Sequence, residues 1–252
     1  MPDYAINELY FGSYQVGTPS GVQIVDNSAI YATPSKDVEF VSVAGRNGDL
    51  SFDNDRFENI EMRFRVYVDS TDGYYAGIRG FYSVKGYAEL RTTAWSAEFR
   101  PFHRMAQFVS ATRLDTNQFN KGGIFELVFN CMPQLFYDLG DTWVTVSNGD
   151  YFENPYSVYK ALPIFRVKGA NGTVTITAVS STRENQAFTV TSGSSFTFID
   201  SQIQDCTDSE TGGTNQNSTV TFTNGFPYIS SRATISYTGF TEVKYKPRYW
   251  TL

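Results

Sequence analysis

The stretch that decides the fold runs from Val41 to Val68 and reads VSVAGRNGDLSFDNDRFENIEMRFRVYV. Its last third alternates strictly. Ile60, Met62, Phe64, Val66 and Val68 are apolar, and Glu61, Arg63 and Arg65 between them are charged. Successive side chains of a strand point to opposite faces, so this run predicts a long strand with one buried and one wet face. A shorter alternating run, VEFVSVAG, precedes it and ends in Ala44-Gly45-Arg46-Asn47-Gly48-Asp49-Leu50. Gly45 and Gly48 supply tight or positive-φ corners. Arg46 can make a forked, charge-assisted contact to a carboxylate or carbonyl, and Asp49 can accept from turn N–H groups. Such a knot is either an internal turn or a turn that also touches a partner. The segment Asp53–Asn59, DNDRFEN, reads as a solvated loop.

Downstream of Val68, Ser70-Thr71-Asp72 is an N-cap cluster. Behind it Tyr74, Ile78, Phe81 and Tyr82 fall at i, i+4, i+7 and i+8, one apolar helical stripe. Gly86 stands where a C′ glycine is expected. Gly77 and Gly80 each cost such a helix roughly 1 kcal/mol relative to alanine, so it survives only by docking on a sheet. More strands are expected in IVDNSAIYATP upstream and in YAELRT, AEFRPF, AQFVSATRL and GIFELVFNC downstream, with NQFNKGG as a loop. The last strand must stop at Met132-Pro133, because proline cannot continue a central ladder.

From Tyr137 to Pro155 the chain turns rich in Asp, Gly, Asn and Pro, which places a boundary near residues 137 to 142 and gives domains 1–138 and 139–252. Beyond it, LPIFRVKGANGTVTITAV reads as a hairpin closed by Asn171-Gly172, and AFTVTSGSSFTFID as another. DSETGGTNQNSTV is a polar loop, and FPYISSRATISYTGFTEVKYKPRYW closes the chain with further alternation. The fold class expected is mainly β: an N-terminal β-sandwich carrying one α-helix, then a second β-sandwich.

Composition agrees. Aromatic residues make up 16% of the 252, enough bulk for sizeable cores. The net charge is −6 and no basic run occurs, which argues against tight binding to a phosphate backbone. The acidic excess is concentrated early, with 17 acidic against 12 basic residues up to position 140 and 9 against 8 beyond it. No apolar run approaches the roughly 20 residues of a membrane helix, and Met1–Ala5 has neither the basic nor the apolar region of a secretory leader. Cys131 and Cys206, far apart, are expected as separate thiols rather than a disulfide.

Chemistry is sparse. A nucleophile–histidine site would have to use His103, the sole histidine, in RPFHRM. One histidine and two separated thiols do not make a zinc site. Asp200–Glu210 lacks the spacing of a calcium loop, and no phosphate-cradling glycine motif occurs. No catalytic residue, metal or cofactor is therefore assigned. A sugar-binding sandwich would stack a hexose on an aromatic ring; Trp143 and Trp250, however, stand at the flanks of the second half.

VSVAGRNGDL resembles the signature turn of the distal tail proteins (Dit) of long-tailed, non-contractile phages that infect Gram-positive bacteria. Gly45, Arg46, Asn47, Gly48, Asp49 and Leu50 fit it, with Ala44 where proline is common. In order along the chain, Lys85-Gly86-Tyr87 with Leu90, then Phe129, Cys131 and Pro133, resemble further family elements. So do NPYSVYKALPIFRV, FTFIDSQ and NGFPYIS, although Ser231-Arg232-Ala233-Thr234 stands where the family often has Gly-x-Asn. The resemblance implies a ring-forming belt domain followed by a galectin-like domain, with the last ten or so residues able to return to the belt. It implies a homo-hexamer, which in solution can pair into a dimer of hexamers. It further implies a non-enzymatic hub at the virion tail tip, through whose channel DNA passes in transit. Its partners would be the tail tube protein, the tape measure protein, a tail-associated lysin-like protein and a receptor-binding protein. Gly45, Arg46, Asn47, Gly48 and Asp49 are the candidate ring-interface residues. A carbohydrate-binding adhesin module of the tail is the alternative reading, and a β-sandwich glycosidase or esterase a third.

Overall fold

The apolar residues of the run Ile60–Val68 all turn one way, each at most 7% exposed, while Glu61, Arg63 and Arg65 face solvent. The computed structural model describes residues 9–16, 22–26, 32–68, 71–92, 102–112, 115–116, 123–155, 159–178, 185–193, 195–210, 213–229 and 232–252. They divide into two units, Met1–Leu135 with Leu252, and Phe136–Thr251. The fold is mainly β, as the alternation requires.

In the first unit the elements are β1 (Leu9–Phe11), β2 (Tyr14–Val16), β3 (Val22–Asp26), β4 (Lys36–Val41), β5 (Leu50–Phe57), β6 (Ile60–Val68), α1 (Thr71–Ser83), β7 (Ala88–Thr92), β8 (Phe102–Ala111), β9 (Asp115–Thr116) and β10 (Gly123–Cys131). Strand order runs β2-β1-β7-β8-β10-β6-β3, with β9 on β10. The backbone of the sheet is the nine-residue antiparallel pairing of β6 with β10, from Ile60 opposite Cys131 to Val68 opposite Gly123. Phe11, Phe64, Leu90, Leu127 and Phe129 are fully buried on its inner face. Phe11, Phe64, Phe81 and Phe108 all meet Phe129 at ring-centroid distances of 5.2–6.1 Å, mostly edge to face. Such pairs add about 0.5–1.5 kcal/mol each beyond the area they bury.

Helix α1 docks through Ile78 and Phe81 as its spacing predicts. Tyr82 departs from the expected stripe. It is 60% exposed and only its edge meets Phe108, at 4.9 Å. At about 100° per residue it lies close to Ile78 but about 100° round from Phe81, so it falls at the edge of the buried line, on the side away from the deepest contact. The helix stops at Ser83, and Gly86, at φ +72°, lies three residues on rather than at C′. Gly80 has a packing reason. A Cβ there would stand 2.4 Å from the Tyr14 ring, whose hydroxyl meets Ser83 Oγ at 2.8 Å. The expected cap residue Ser70 and most of AEFRPF and NQFNKGG lie outside the described residues. His103 sits in β8 and is 3% exposed.

The second unit continues with β11 (Leu135–Tyr137), a 3-10 turn at Asp138–Asp141, β12 (Val144–Thr145), β13 (Asp150–Glu153), β14 (Ile164–Lys168), β15 (Gly172–Ala178), β16 (Gln186–Val190), β17 (Phe196–Asp200), β18 (Asp205–Thr207), β19 (Val220–Phe222), β20 (Arg232–Thr238), β21 (Glu242–Lys246) and β22 (Trp250–Thr251). Two five-stranded sheets, β12-β21-β14-β17-β18 and β13-β20-β15-β16-β19, form a sandwich. Its filling includes Phe165 against Phe188 at 5.3 Å and Phe152 against Tyr245 at 5.8 Å.

Both expected hairpins here are corrected. Strand β14 does not pair with β15, nor β16 with β17; the pairs are β14–β17 and β15–β16. The Asn171-Gly172 corner carries the chain from one sheet to the other. Gly169 takes φ +136°, and a side chain on Gly172 would strike the Thr238 carbonyl at 2.6 Å. Asn171 Oδ1 accepts from Ser192 N at 2.9 Å, which ties the two crossovers together. Each strand has one buried face in either arrangement, so alternation could not distinguish them. At the C-terminal end, Trp250 stacks on Tyr159 at 4.5 Å and its indole N–H donates to the Lys160 carbonyl at 2.9 Å.

Candidate assembly hairpin

The residues Gly45 to Asp49 close a hairpin of their own. The segment that read as a solvated loop is strand: β5 runs from Leu50 to Phe57 and pairs antiparallel with β4, forming a two-stranded sheet apart from the main one. Its polar alternation, Asp53 and Asp55, lacks the apolar face that announces a strand in sequence. At the tip, Arg46 N donates to the Val43 carbonyl at 3.2 Å. Gly45, third in that four-residue turn, takes φ +78°, the sign a type II turn requires there. Gly48 takes φ +82°. A Cβ on either glycine would meet nothing within 4 Å, so conformation and not crowding selects glycine.

Arg46, Asn47 and Asp49 are brought together at this tip and are all exposed. Closer to the base the hairpin is braced by charge. Arg56 Nε donates to Asp37 Oδ2 at 2.5 Å, Asn54 adds a bond to Asp37 at 3.1 Å, and Lys36 pairs with Asp53. The Arg56 and Asn54 bonds hold the Asp37 carboxyl below its ordinary range; Lys36 and the Asp55 N–H do the same for Asp53.

The apolar side chains of the hairpin are what the sequence did not reveal. Phe40 is 67% exposed and Phe52 is 52% exposed. Register places Phe40 opposite Ser51 and Phe52 opposite Glu39, so the two phenylalanines occupy opposite faces. Val41, itself exposed, shares the Phe52 face. An isolated two-stranded hairpin is marginal in water, and this one exposes an aromatic ring on each of its faces. The signal was there in Phe52, an aromatic residue within the otherwise polar SFDNDR.

The candidate chemistry resolves into structural roles. Burial pushes the Cys131 and Cys206 thiols up to about 12, so neither is a thiolate nucleophile at neutral pH. Asp205 Oδ1 accepts from Cys206 N, Asn215 Nδ2 and Asn217 Nδ2, and Asp208 Oδ1 from Thr214 N. Those carboxylates tie their own loop.

Known structures bear on this arrangement. The solved structure of SPP1 Dit (gp 19.1), described as a paradigm of the hub adsorption apparatus in phages infecting Gram-positive bacteria, superposes with a TM-score of 0.63 over 96% of this chain and 98% of that one, at 10% identity. The fold is Dit-like. A chain of the phage P2 baseplate in its activated conformation with Ca superposes at a TM-score of 0.58 and 9% identity, covering 95% of this chain and 96% of that one. The same baseplate with Sr gives 0.57 at 9% identity over 96% and 97%. No family model and no curated protein matches the sequence. The Dit-like architecture thus extends over both units. No helix among the described residues is long and apolar enough to cross a membrane.

Proposed function

We propose that this chain is a non-enzymatic structural hub at the tip of a phage tail, with six copies closing a ring through the first unit. The observation that carries the reading is the end-to-end likeness of fold to SPP1 Dit across both units. The β4–β5 hairpin supplies a means. A ring of identical subunits needs a head-to-tail interface in which one surface meets a different surface on the next copy. A projecting hairpin with Phe40 on one face and Phe52 on the other is suited to insertion into a neighbour. Arg46 at its tip would add a forked bond to a carboxylate or carbonyl there.

In this reading the first unit is the belt and the second a galectin-like arm. The ring joins the tail tube and tape measure proteins to a lysin-like tail-tip protein and a receptor-binding protein. The acidic excess of the first 140 residues suits a channel along which DNA slides without sticking.

The test is mass measurement of the purified chain with negative-stain imaging. The expected species has six times the 28.3 kDa of one chain, or twelve times if rings pair, and shows a central hole. A monomer at all accessible concentrations overturns the proposal. Arg46→Ala is expected to weaken the ring without lowering the melting temperature of the subunit; an unchanged ring would remove Arg46 from the interface.

A further inference from the structure

The outer face of the sheet β12-β21-β14-β17-β18 carries side chains that a plain solvent face does not need. Along β17 the inward residues are Thr197 and Ile199, fully buried, so Phe196 and Phe198 point outward and are only half-buried. Arg166 of β14 lies opposite Phe198. Its guanidinium sits 5.2 Å from the Phe196 ring centroid and 5.6 Å from that of Trp143. Trp143 meets Phe198 edge to face at 6.1 Å, so it packs on this sheet instead of merely flanking the domain.

The loop after β18 overhangs these rings. Arg166, Phe196, Phe198, Asp208, Ser209 and Glu210 line an open cleft of about 400 Å³, within the range of small-molecule sites. Its polar groups are held in place. Glu210 accepts from the Trp143 indole N–H at 3.3 Å and from Lys246 at 2.5 Å, and Arg166 pairs with Glu242 at 2.5 Å. Arg166 Nε is buried and has no hydrogen-bond partner among the described residues.

The lining constrains the ligand. An apolar molecule would strip water from Arg166, Asp208 and Glu210 without replacing it, a cost of kilocalories per group. An anion would face two carboxylates, and a cation would face the guanidinium. A neutral polyhydroxylated ring meets every demand: its C–H face lies on Phe196 and Phe198, and its hydroxyls both accept from a guanidinium and donate to carboxylates. We infer that this cleft is a binding site for a neutral saccharide. The inference is independent of the ring proposal, because it rests on residues of the second unit alone.

The experiment uses the full chain and a defined panel of neutral oligosaccharides (maltotriose, cellotriose, chitotriose, galactotriose and a rhamnose trisaccharide), with sialyllactose as the anionic comparator. Binding is read by titration calorimetry and by quenching of indole fluorescence. At least one neutral trisaccharide is expected to bind, and Phe196→Ala to weaken it about tenfold or more. Glu210→Gln keeps the size of an exposed loop side chain and removes its charge; it is expected to weaken the same sugar, which keeps the test decisive if Phe196→Ala is too unstable to purify. Absence of binding by every neutral sugar up to about 10 mM, binding of the anionic sugar alone, or equal binding by Glu210→Gln and the unaltered protein would overturn the inference. Ring mass measured on the same samples keeps its failure distinct from failure of the hub reading.

Discussion

Strand pairs β4–β5 and β6–β10 belong to the same unit, are both antiparallel, and both place aromatic and branched residues at alternate positions. They use them in opposite ways. In β6–β10 the inward residues Phe64, Val66, Leu127 and Phe129 are 0% exposed. In β4–β5 the comparable residues Phe40 and Phe52 are more than half exposed, and ion pairs brace the base. Alternation therefore reports which side chains share a face. It does not report which molecule covers that face. A core strand is covered by its own chain, whereas the phenylalanines of the hairpin are left uncovered, which is what the proposed ring contact would use.

The largest effect expected from this contrast is in the covered pair. Phe64→Ala removes a fully buried ring from the cluster around Phe129, and large-to-small changes of this kind cost about 3–5 kcal/mol. Thermal or urea unfolding of the isolated subunit reads this directly. A loss below 1 kcal/mol would mean that the inner face of β6 is not the core of the unit.

The uncovered pair should respond the other way round. Phe40→Ser with Phe52→Ser removes exposed apolar area, so subunit stability should stay within about 0.5 kcal/mol. Each ring fully covered in an assembly would contribute about 1.5–3 kcal/mol at that contact. Loss of rings in negative stain and a shift to monomer in mass measurements are expected at concentrations where the unaltered chain assembles. Intact rings would confine the interface to other surfaces of the unit.

How far the sequence could be read follows from the same contrast. The long strand Ile60–Val68, the helix stripe through Ile78 and Phe81, and the stop at Pro133 were all legible, because each is covered within the chain and its period is visible. The strand Leu50–Phe57 was not. Its charged residues pair across an exposed hairpin that has no buried face to alternate against, so its pattern imitates a loop. The crossovers at Asn171-Gly172 and between β16 and β17 were misread for a geometric reason. A turn motif specifies a reversal, but whether the next strand joins the same sheet depends on contacts such as Gly172 against Thr238, which lie 66 residues apart. At the candidate site, the glycines announced the turn of Gly45–Gly48, whereas the exposure of Phe40 and Phe52 required the register.

A smaller effect tests where local propensity yields to packing. Gly80→Ala gains up to about 1 kcal/mol of helix propensity. Against this, the new methyl group collides with the Tyr14 ring, and overpacking of this kind typically costs about 1–3 kcal/mol. A net loss of about 1 kcal/mol is expected. In a Tyr14→Ala background the same change should become stabilising by up to about 1 kcal/mol, because the obstacle is gone. A double-mutant cycle by thermal unfolding measures the sign change. If Gly80→Ala has one sign in both backgrounds, the ring of Tyr14 is not what selects glycine there.

The smallest expected effect concerns the charges at the base of the hairpin. Asp37 is held below the ordinary carboxyl value of 3.8 by Arg56 first and Asn54 second, and Asp53 by Lys36 first. A carboxyl group whose folded value is lowered binds its proton less readily in the folded state than in the unfolded state. Its contribution is therefore complete above 3.8 and drains away as the pH falls through the lower folded value. Both pairs are exposed, so salt should weaken them too. Hydrogen exchange of the subunit, corrected for the intrinsic pH dependence of exchange, should show constant protection at Glu39–Val41 from pH 7 to about 5. Below 3.8 it should fall there before it falls at Phe64 or Leu127. Protection at Glu39–Val41 that persists undiminished to about pH 2.5 would show that the ladder of β4 with β5, and not the ion pairs at its base, holds the hairpin in shape.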